Sequence, residues 1–152
     1  MITIRPIKNT DFQQITQIEF ESFSDPYPLY LFEYFADNAS ALFLVAEEGE
    51  SLLGYIIGEI EQHRGHPVGH LLSLAVRLEK RRQGIGLQLI RVLIEILKKK
   101  GCKNLVLEVR VSNYSAKSFY QKQGFRTIRR SSKYYDDGED ALIMELNLEE
   151  RL

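Results

Sequence analysis

Arg81-Arg82-Gln83-Gly84-Ile85-Gly86 is the segment whose residue types and spacing most directly suggest chemistry. It lies between a strand-like run, Leu71 to Val76, and a helical pattern from Leu87 to Lys100. A basic, glycine-bearing turn that opens a helix is an anion site. The first N–H groups of the helix have no intrahelical partner, and the helix dipole adds positive potential there. Gly84 and Gly86 let the backbone approach a ligand closely, so the expected ligand is a phosphate or pyrophosphate. The two common nucleotide motifs are absent: there is no GxxxxGK[ST], and Leu89 stands where GxGxxG requires its third glycine. Alone, the segment reads equally well as a solvated loop with two surface arginines.

Composition narrows the setting. A chain of 152 residues with 44% hydrophobic and 27% charged residues fits one compact soluble domain, 1–152. The net charge of −1 does not favour non-specific nucleic-acid binding, so any basic site is local. Cys102 is the single cysteine and cannot form an internal disulfide, which fits a reducing cytoplasm. Neither a secretory signal nor an apolar run of membrane-spanning length is expected from the pattern, so no membrane partner is expected, and no metal.

The elements that must position the turn follow from periodicity. Ile2, Ile4 and Ile7 begin a strand. Phe12, Ile15, Ile18 and Phe23 keep a helical face, which Ser24-Asp25-Pro26-Tyr27-Pro28 breaks. An aromatic helix near Leu29 to Ala36 follows, then strands at Ala41 to Glu47, Leu52 to Ile60 and His66 to Val76. Leu87 to Lys100 has the best amphipathic pattern: Leu89, Ile90, Leu93, Ile94 and Leu97 form its apolar stripe, and Gly101 ends it. Leu105 to Val111 alternates, with Glu108 and Arg110 on the opposite side from Leu107 and Val109. A helix at Tyr114 to Gln123 precedes a hairpin of Phe125 to Tyr135 and Asp140 to Leu148 around Asp136-Asp137-Gly138. The order β-α-α-β-β-β-α-β-α-β-β predicts an α/β fold with a mixed sheet. No exposed apolar helix stands out, which points to a self-contained monomer.

The turn, its flanking strand and helix, and the segment Asn113 to Phe125 together resemble the GNAT acyltransferase superfamily. Arg81, Gly84 and Gly86 fill that family's [RQ]-x-x-G-x-[GA] motif. Asn113, Ala116, Phe119, Tyr120, Lys122, Gly124 and Phe125 match its second signature. The resemblance spans nearly the whole chain. It is strongest to the protein N-terminal acetyltransferases: the archaeal enzymes, the catalytic subunit of NatA, and bacterial RimI. His70 to Val76, Leu107 to Asn113, and the Lys133-Tyr134-Tyr135-Asp136-Asp137-Gly138-Glu139-Asp140-Ala141 hairpin carry it. It implies a twisted mixed sheet of about seven strands with helices on both faces. The implied activity is transfer of an acetyl group from acetyl-CoA to the N-terminal amine of proteins or peptides, by direct attack in a ternary complex. The alternative acceptor is a lysine side chain or a small amine. A tyrosine-rich hairpin suits a flexible N-terminus better.

An ammonium must lose a proton before it attacks a thioester, so the site needs a base. The resemblance implies Glu108 and His70 for that role, directly or through water. A neutral imidazole has a suitable ordinary pKa. The plain alternatives are a strand-entry histidine bonded to backbone, and a half-exposed glutamate paired with Arg110. Tyr120 is implied as the acid at the departing thiolate, or else as a core aromatic beside Phe119 and Phe125. The pantetheine arm is expected along the backbone of Leu74, Ala75 and Val76 and at Asn113. The pyrophosphate is expected at Arg81, Arg82, Gln83, Gly84, Ile85 and Gly86. On the peptide side, Phe23, Asp25 and Tyr27 match a substrate loop, and Tyr134 and Tyr135 match tyrosines flanking the incoming N-terminus. Tyr27, Tyr30 and Phe32 are also compatible with plain helix packing. Asp25 falls where NatA-type enzymes carry a glutamate. Ribosome association or a helper subunit is left open. A non-catalytic acetyl-CoA-binding subunit fits less well, because His70, Glu108 and Tyr120 are all present.

Overall fold

The computed structural model describes residues 1–149. Seven strands form one sheet: β1 (Thr3–Pro6), β2 (Ala41–Glu48), β3 (Ser51–His63), β4 (His66–Val76), β5 (Asn104–Arg110), β6 (Arg126–Ser131) and β7 (Ala141–Asn147), in the order β1-β2-β3-β4-β5-β7-β6. Four helices accompany it: α1 (Phe12–Ser22), α2 (Leu29–Asp37), α3 (Ile85–Lys99) and α4 (Tyr114–Lys122). Every neighbouring pair is antiparallel except β4 and β5. This is the mixed α/β fold that the periodicity predicts.

Both faces of the sheet are covered. On one face α3 buries Ile85, Leu89, Ile90, Leu93, Ile94 and Leu97 against the sheet, joined by Tyr120 of α4 and Phe125. Each such aliphatic side chain contributes about 1.5–3 kcal/mol by leaving water. On the other face Ile15 and Ile18 of α1 and Phe32 of α2 pack on Phe43, Val45, Tyr55 and Ile57. Helix α1 is pinned at its start by Asp11, which accepts from Arg5 Nη1 at 2.8 Å and from the Lys8 N–H at 2.7 Å.

The central irregularity creates the site. Strands β4 and β5 pair only at Gly69–Leu105 and His70–Val106. One residue further on, β4 carries a bulge: Ile57 faces Ser73 and Gly58 faces Leu71, which leaves Leu72 unpaired with β3. A bulge bends its strand and increases the local twist. Beyond His70, β4 therefore parts from β5, and its outer backbone edge borders no strand.

Three expectations change in detail. Helix α3 begins at Ile85 rather than Leu87, because Gly84 caps it at φ +83°, a conformation that only glycine adopts without strain. The β6–β7 connection is a loop of residues 132–140, not a tight hairpin. Two of its N–H groups are taken by carboxylates, Lys133 N–H by Asp140 Oδ1 at 2.9 Å and Glu139 N–H by Asp137 Oδ1 at 3.0 Å, and those of Tyr135 and Gly138 by backbone carbonyls. Finally, α1 and α2 do show exposed apolar residues: Phe20 and Tyr30 are 79% and 71% exposed, with Leu29 and Tyr34 beside them in sequence. The break at Pro26 and Pro28 turns only Phe32 of that aromatic helix fully inward.

Candidate active site

A cleft of about 340 Å³ opens where β4 and β5 part. Its floor is Leu71 to Leu74 of β4 and Leu107 to Arg110 of β5. The α1–α2 loop supplies Phe23, Ser24, Asp25 and Tyr27, the start of α4 supplies Asn113 and Ala116, and Tyr120 and Tyr135 complete the wall. Residues from five separated stretches of sequence thus meet in one channel.

Glu108 projects from β5 on the side opposite Leu107 and Val109, as the alternation predicts. Its partner is not Arg110. That guanidinium lies 4.0 Å over the Tyr135 ring and donates to Asp137 at 2.8 Å and Glu139 at 3.0 Å, fastening the β6–β7 loop to β5. Glu108 Oε1 instead lies 2.7 Å from His70 Nε2, and His70 Nδ1 lies 2.7 Å from Glu61 Oε2. Glu108, and then Glu61, raise the imidazole pKa to about 9 against the opposing effect of burial. At neutral pH His70 is therefore an imidazolium donating from both nitrogens, not the neutral ring of an unperturbed histidine. Glu108 is the acceptor of the pair.

Tyr120 is a packed core ring and a cleft residue at once. It sits 5.3 Å from Phe119 and 5.4 Å from Phe125, and burial pushes its pKa well up, so its phenol stays protonated. Asn113 caps α4 by accepting the Ala116 N–H at 3.1 Å, which leaves its amide NH₂ for a ligand.

The glycine turn lies beyond the Leu74 end of the cleft. The first helical bond of α3 is Gln88 N–H to Gly84 O, so the N–H groups of Ile85, Gly86 and Leu87 precede any helical acceptor. A Cβ placed on Gly86 would lie 3.8 Å from Val76, so the turn and the end of β4 form one continuous surface. Arg81 is partly committed: it donates to Val76 O at 2.9 Å and to Ser22 Oγ at 3.1 Å, which fixes the turn to β4 and α1. Gln83 donates to Glu79 O, and Arg82 adopts φ +63°.

Burial raises the Tyr27 pKa, with Glu19 and Glu108 adding to it, and burial also raises Tyr134 and Tyr135. The charge of Glu108 adds to the rise at all three rings. Tyr134 stacks edge-on to Tyr135 at 4.9 Å but does not line the cleft, and neither does the exposed Tyr30. Tyr27 also packs on Phe32 and Phe35, so pocket and core functions coincide there.

Two residues were not singled out from the sequence. Glu61 lies just past the expected end of β3. Glu19 falls in the apolar stripe of α1, four residues after Ile15, and is 2% exposed. The Tyr55 hydroxyl donates to Glu19 Oε1, and the Tyr27 N–H donates to Oε2 at 2.9 Å. Ser73 Oγ lies 2.8 Å from the same phenol. A carboxylate at a helical core position was the available signal.

The chain is 39% identical over 142 residues to an uncharacterized N-acetyltransferase of Methanocaldococcus jannaschii, covering 93% of this chain and 88% of that one. It is 33% identical over 142 residues to N-alpha-acetyltransferase 30 of Schizosaccharomyces pombe, covering 93% and 95%. The crystal structure of the ribosomal-protein-S18-alanine N-acetyltransferase from Escherichia coli superimposes with TM-score 0.86 at 30% identity, covering 97% and 94%. The model of the Acetyltransferase (GNAT) family matches residues 11–125, and the chain belongs to that family.

Proposed function

We propose that this GNAT acetyltransferase is an N-alpha-acetyltransferase, moving the acetyl group of acetyl-CoA onto the terminal amine of a protein or peptide. One observation carries the reading: Glu108 stands in a cleft walled by Tyr27 and Asp25 from one side and Tyr135 from the other. Such a slot admits the extended end of a chain. Relatives named N-alpha-acetyltransferase at 33% and 35% identity support the same acceptor.

The cofactor fits the residues present. On the edge of β4 that borders no strand, Leu74 and the Val76 N–H offer backbone groups to an extended pantetheine arm, as an added strand would, whereas the Ala75 carbonyl faces Gly54 of β3. The N–H groups from Gln83 to Gly86, with Arg82 beside them, offer the pyrophosphate site. Asn113 offers its amide NH₂. When bound, acetyl-CoA supplies an acetyl group activated as a thioester.

The chain's own residues manage protons and position. Glu108, as carboxylate, receives the proton of the incoming ammonium, directly or through one water. The imidazolium of His70 holds Glu108 from behind. Tyr120 keeps its phenolic proton and is the donor on the cofactor side. Phe23, Asp25, Tyr27 and Tyr135, which line the cleft, orient the acceptor, with Tyr134 packed edge-on against Tyr135; the Asp25 carboxylate suits a positive amine or a polar first residue. Growing N-termini at the ribosome, or a helper subunit that presents them, are the partners this acceptor class implies. The cytoplasm is its setting, consistent with the single unpaired Cys102.

The test is Glu108→Gln. Turnover on peptides with free N-termini is expected to fall at least 100-fold, in line with loss of a general base, with acetyl-CoA affinity unchanged. Equal turnover in variant and wild type would remove Glu108 from the proton path.

A further inference from the structure

His70 is held at both ends, and only one end belongs to the cleft. Glu61, from the last turn of β3 before the Arg64-Gly65 reversal, divides its oxygens: Oε2 lies 2.7 Å from His70 Nδ1 and Oε1 lies 3.1 Å from His63 Nε2. It sits diagonally across from His70, whose direct register partner on β3 is Glu59. We propose that Glu61 is a positioning residue for the acetyl transfer. By accepting from Nδ1 it keeps His70 doubly protonated, with Nε2–H committed to Glu108. His70 then acts as a clamp on Glu108 rather than as the group that takes the substrate proton. The proposal rests on the reading of Glu108 as the acceptor of that proton.

The surrounding charges support this assignment. From β3, Glu59 and Glu61 face His70; from β5, Glu108 does. His63 reaches it only through Glu61. The remaining titratable groups close to Glu108 are Tyr27, Tyr134 and Tyr135, phenols that are neutral at pH 7 even unperturbed and that burial raises further, and Arg110 is spent on Asp137 and Glu139. No basic group among the described residues pairs with Glu61 except His70 and His63. Burial works to raise the Glu61 carboxyl, and its bonds from the two histidines outweigh that and hold it below its usual range. An ionised carboxylate on Nδ1 is what a ring charged at neutral pH requires. Were Glu61 absent, Nδ1 would lose its anionic acceptor. The ring would shed its Nδ1 proton more readily, and the neutral ring left, still donating Nε2–H to Glu108 Oε1, would hold that carboxylate without its positive charge and so loosen the clamp.

The experiment compares wild type with Glu61→Gln and Glu61→Asp by two readouts. The first is the titration of His70 followed by ¹⁵N and ¹³C shifts of the imidazole. The second is the pH profile of kcat/KM on a free-N-terminus peptide at saturating acetyl-CoA. In wild type the ring is expected to titrate near pH 9, with the alkaline decline of kcat/KM at the same pH. In Glu61→Gln both move down by at least one pH unit, a tenfold change in proton affinity, while KM for acetyl-CoA stays within twofold. Glu61→Asp, which restores the charge on a shorter arm, recovers part of the shift. If Glu61→Gln leaves the His70 titration and the alkaline limb where they were, the proposal is overturned. The His70 shifts are read without substrate, so they still decide the Glu61 proposal if Glu108→Gln proves fully active and the base assignment fails.

Discussion

Removing the Glu19 carboxylate tests how the peptide side of the cleft is built. Glu19→Ala strips the acceptor from the part-buried Tyr27 N–H and leaves the buried Tyr55 hydroxyl only Ser73 Oγ as a partner. Each buried donor left without a partner costs about 1–3 kcal/mol. Burial also holds the Glu19 carboxyl above its usual pKa, so the native state already carries a cost for this charge that the variant removes. The net expectation is a loss of about 2–4 kcal/mol. A domain of this size loses about 2–4 °C in Tm per kcal/mol, so a fall on the order of 10 °C is expected in a thermal melt. Tyr27 is the residue released, and it forms the cleft wall, so KM for the peptide should rise at least fivefold with KM for acetyl-CoA unchanged. Glu19→Gln keeps an oxygen for Tyr55 but turns an NH₂ toward Tyr27, so it should lose about half as much stability. A Tm within 2 °C of wild type together with an unchanged peptide KM for Glu19→Ala would refute the reasoning.

Two further expectations concern His70 and the strand that carries it. The His70 pKa is raised in the folded state, so its contribution is complete below about pH 6.5, the unfolded value, and is lost as pH rises through about 9. The difference corresponds to about 3 kcal/mol. Urea melts between pH 7 and pH 10 should show wild type losing more stability than His70→Asn, and parallel curves would contradict this. Gly54→Ala would place a Cβ 2.7 Å from the Ala75 carbonyl oxygen, a backbone atom that cannot give way. Denaturant unfolding should show a loss of about 1–3 kcal/mol, and calorimetry should show weaker acetyl-CoA binding, because Ala75 and Val76 are displaced.

What was legible in the sequence follows from the range of each interaction. The stripe of α3 and the alternation of β5 are local, and both appear where the periodicity places them, with boundaries moved by a residue or two. The succession of seven strands and four helices along the chain emerged from the same local patterns, whereas the order of the strands in the sheet did not. The candidate anion turn was legible because its residues are contiguous, and its φ +83° falls on Gly84. Long-range polar pairing was not. Arg110 lies two residues from Glu108 yet binds Asp137 and Glu139, and His70 finds both its partners on neighbouring strands. The carboxylate–imidazolium–carboxylate chain depends on strand register and on the bulge at Leu72, and neither is visible in composition or spacing. The aromatic exposure of α1 and α2 was likewise hidden. It depends on where the helices meet the sheet, and Tyr30 and Phe32 look alike until packing separates them.

Acceptor identity is the central claim, and one measurement addresses it directly. A peptide with a free N-terminal amine and one internal lysine is incubated with acetyl-CoA and the protein, and tandem mass spectrometry locates the added acetyl group. The account requires the acetyl group on the terminal α-amine, with the lysine unmodified and no product when the N-terminus is blocked. Acetylation of the lysine, with the terminal amine left free, would contradict it.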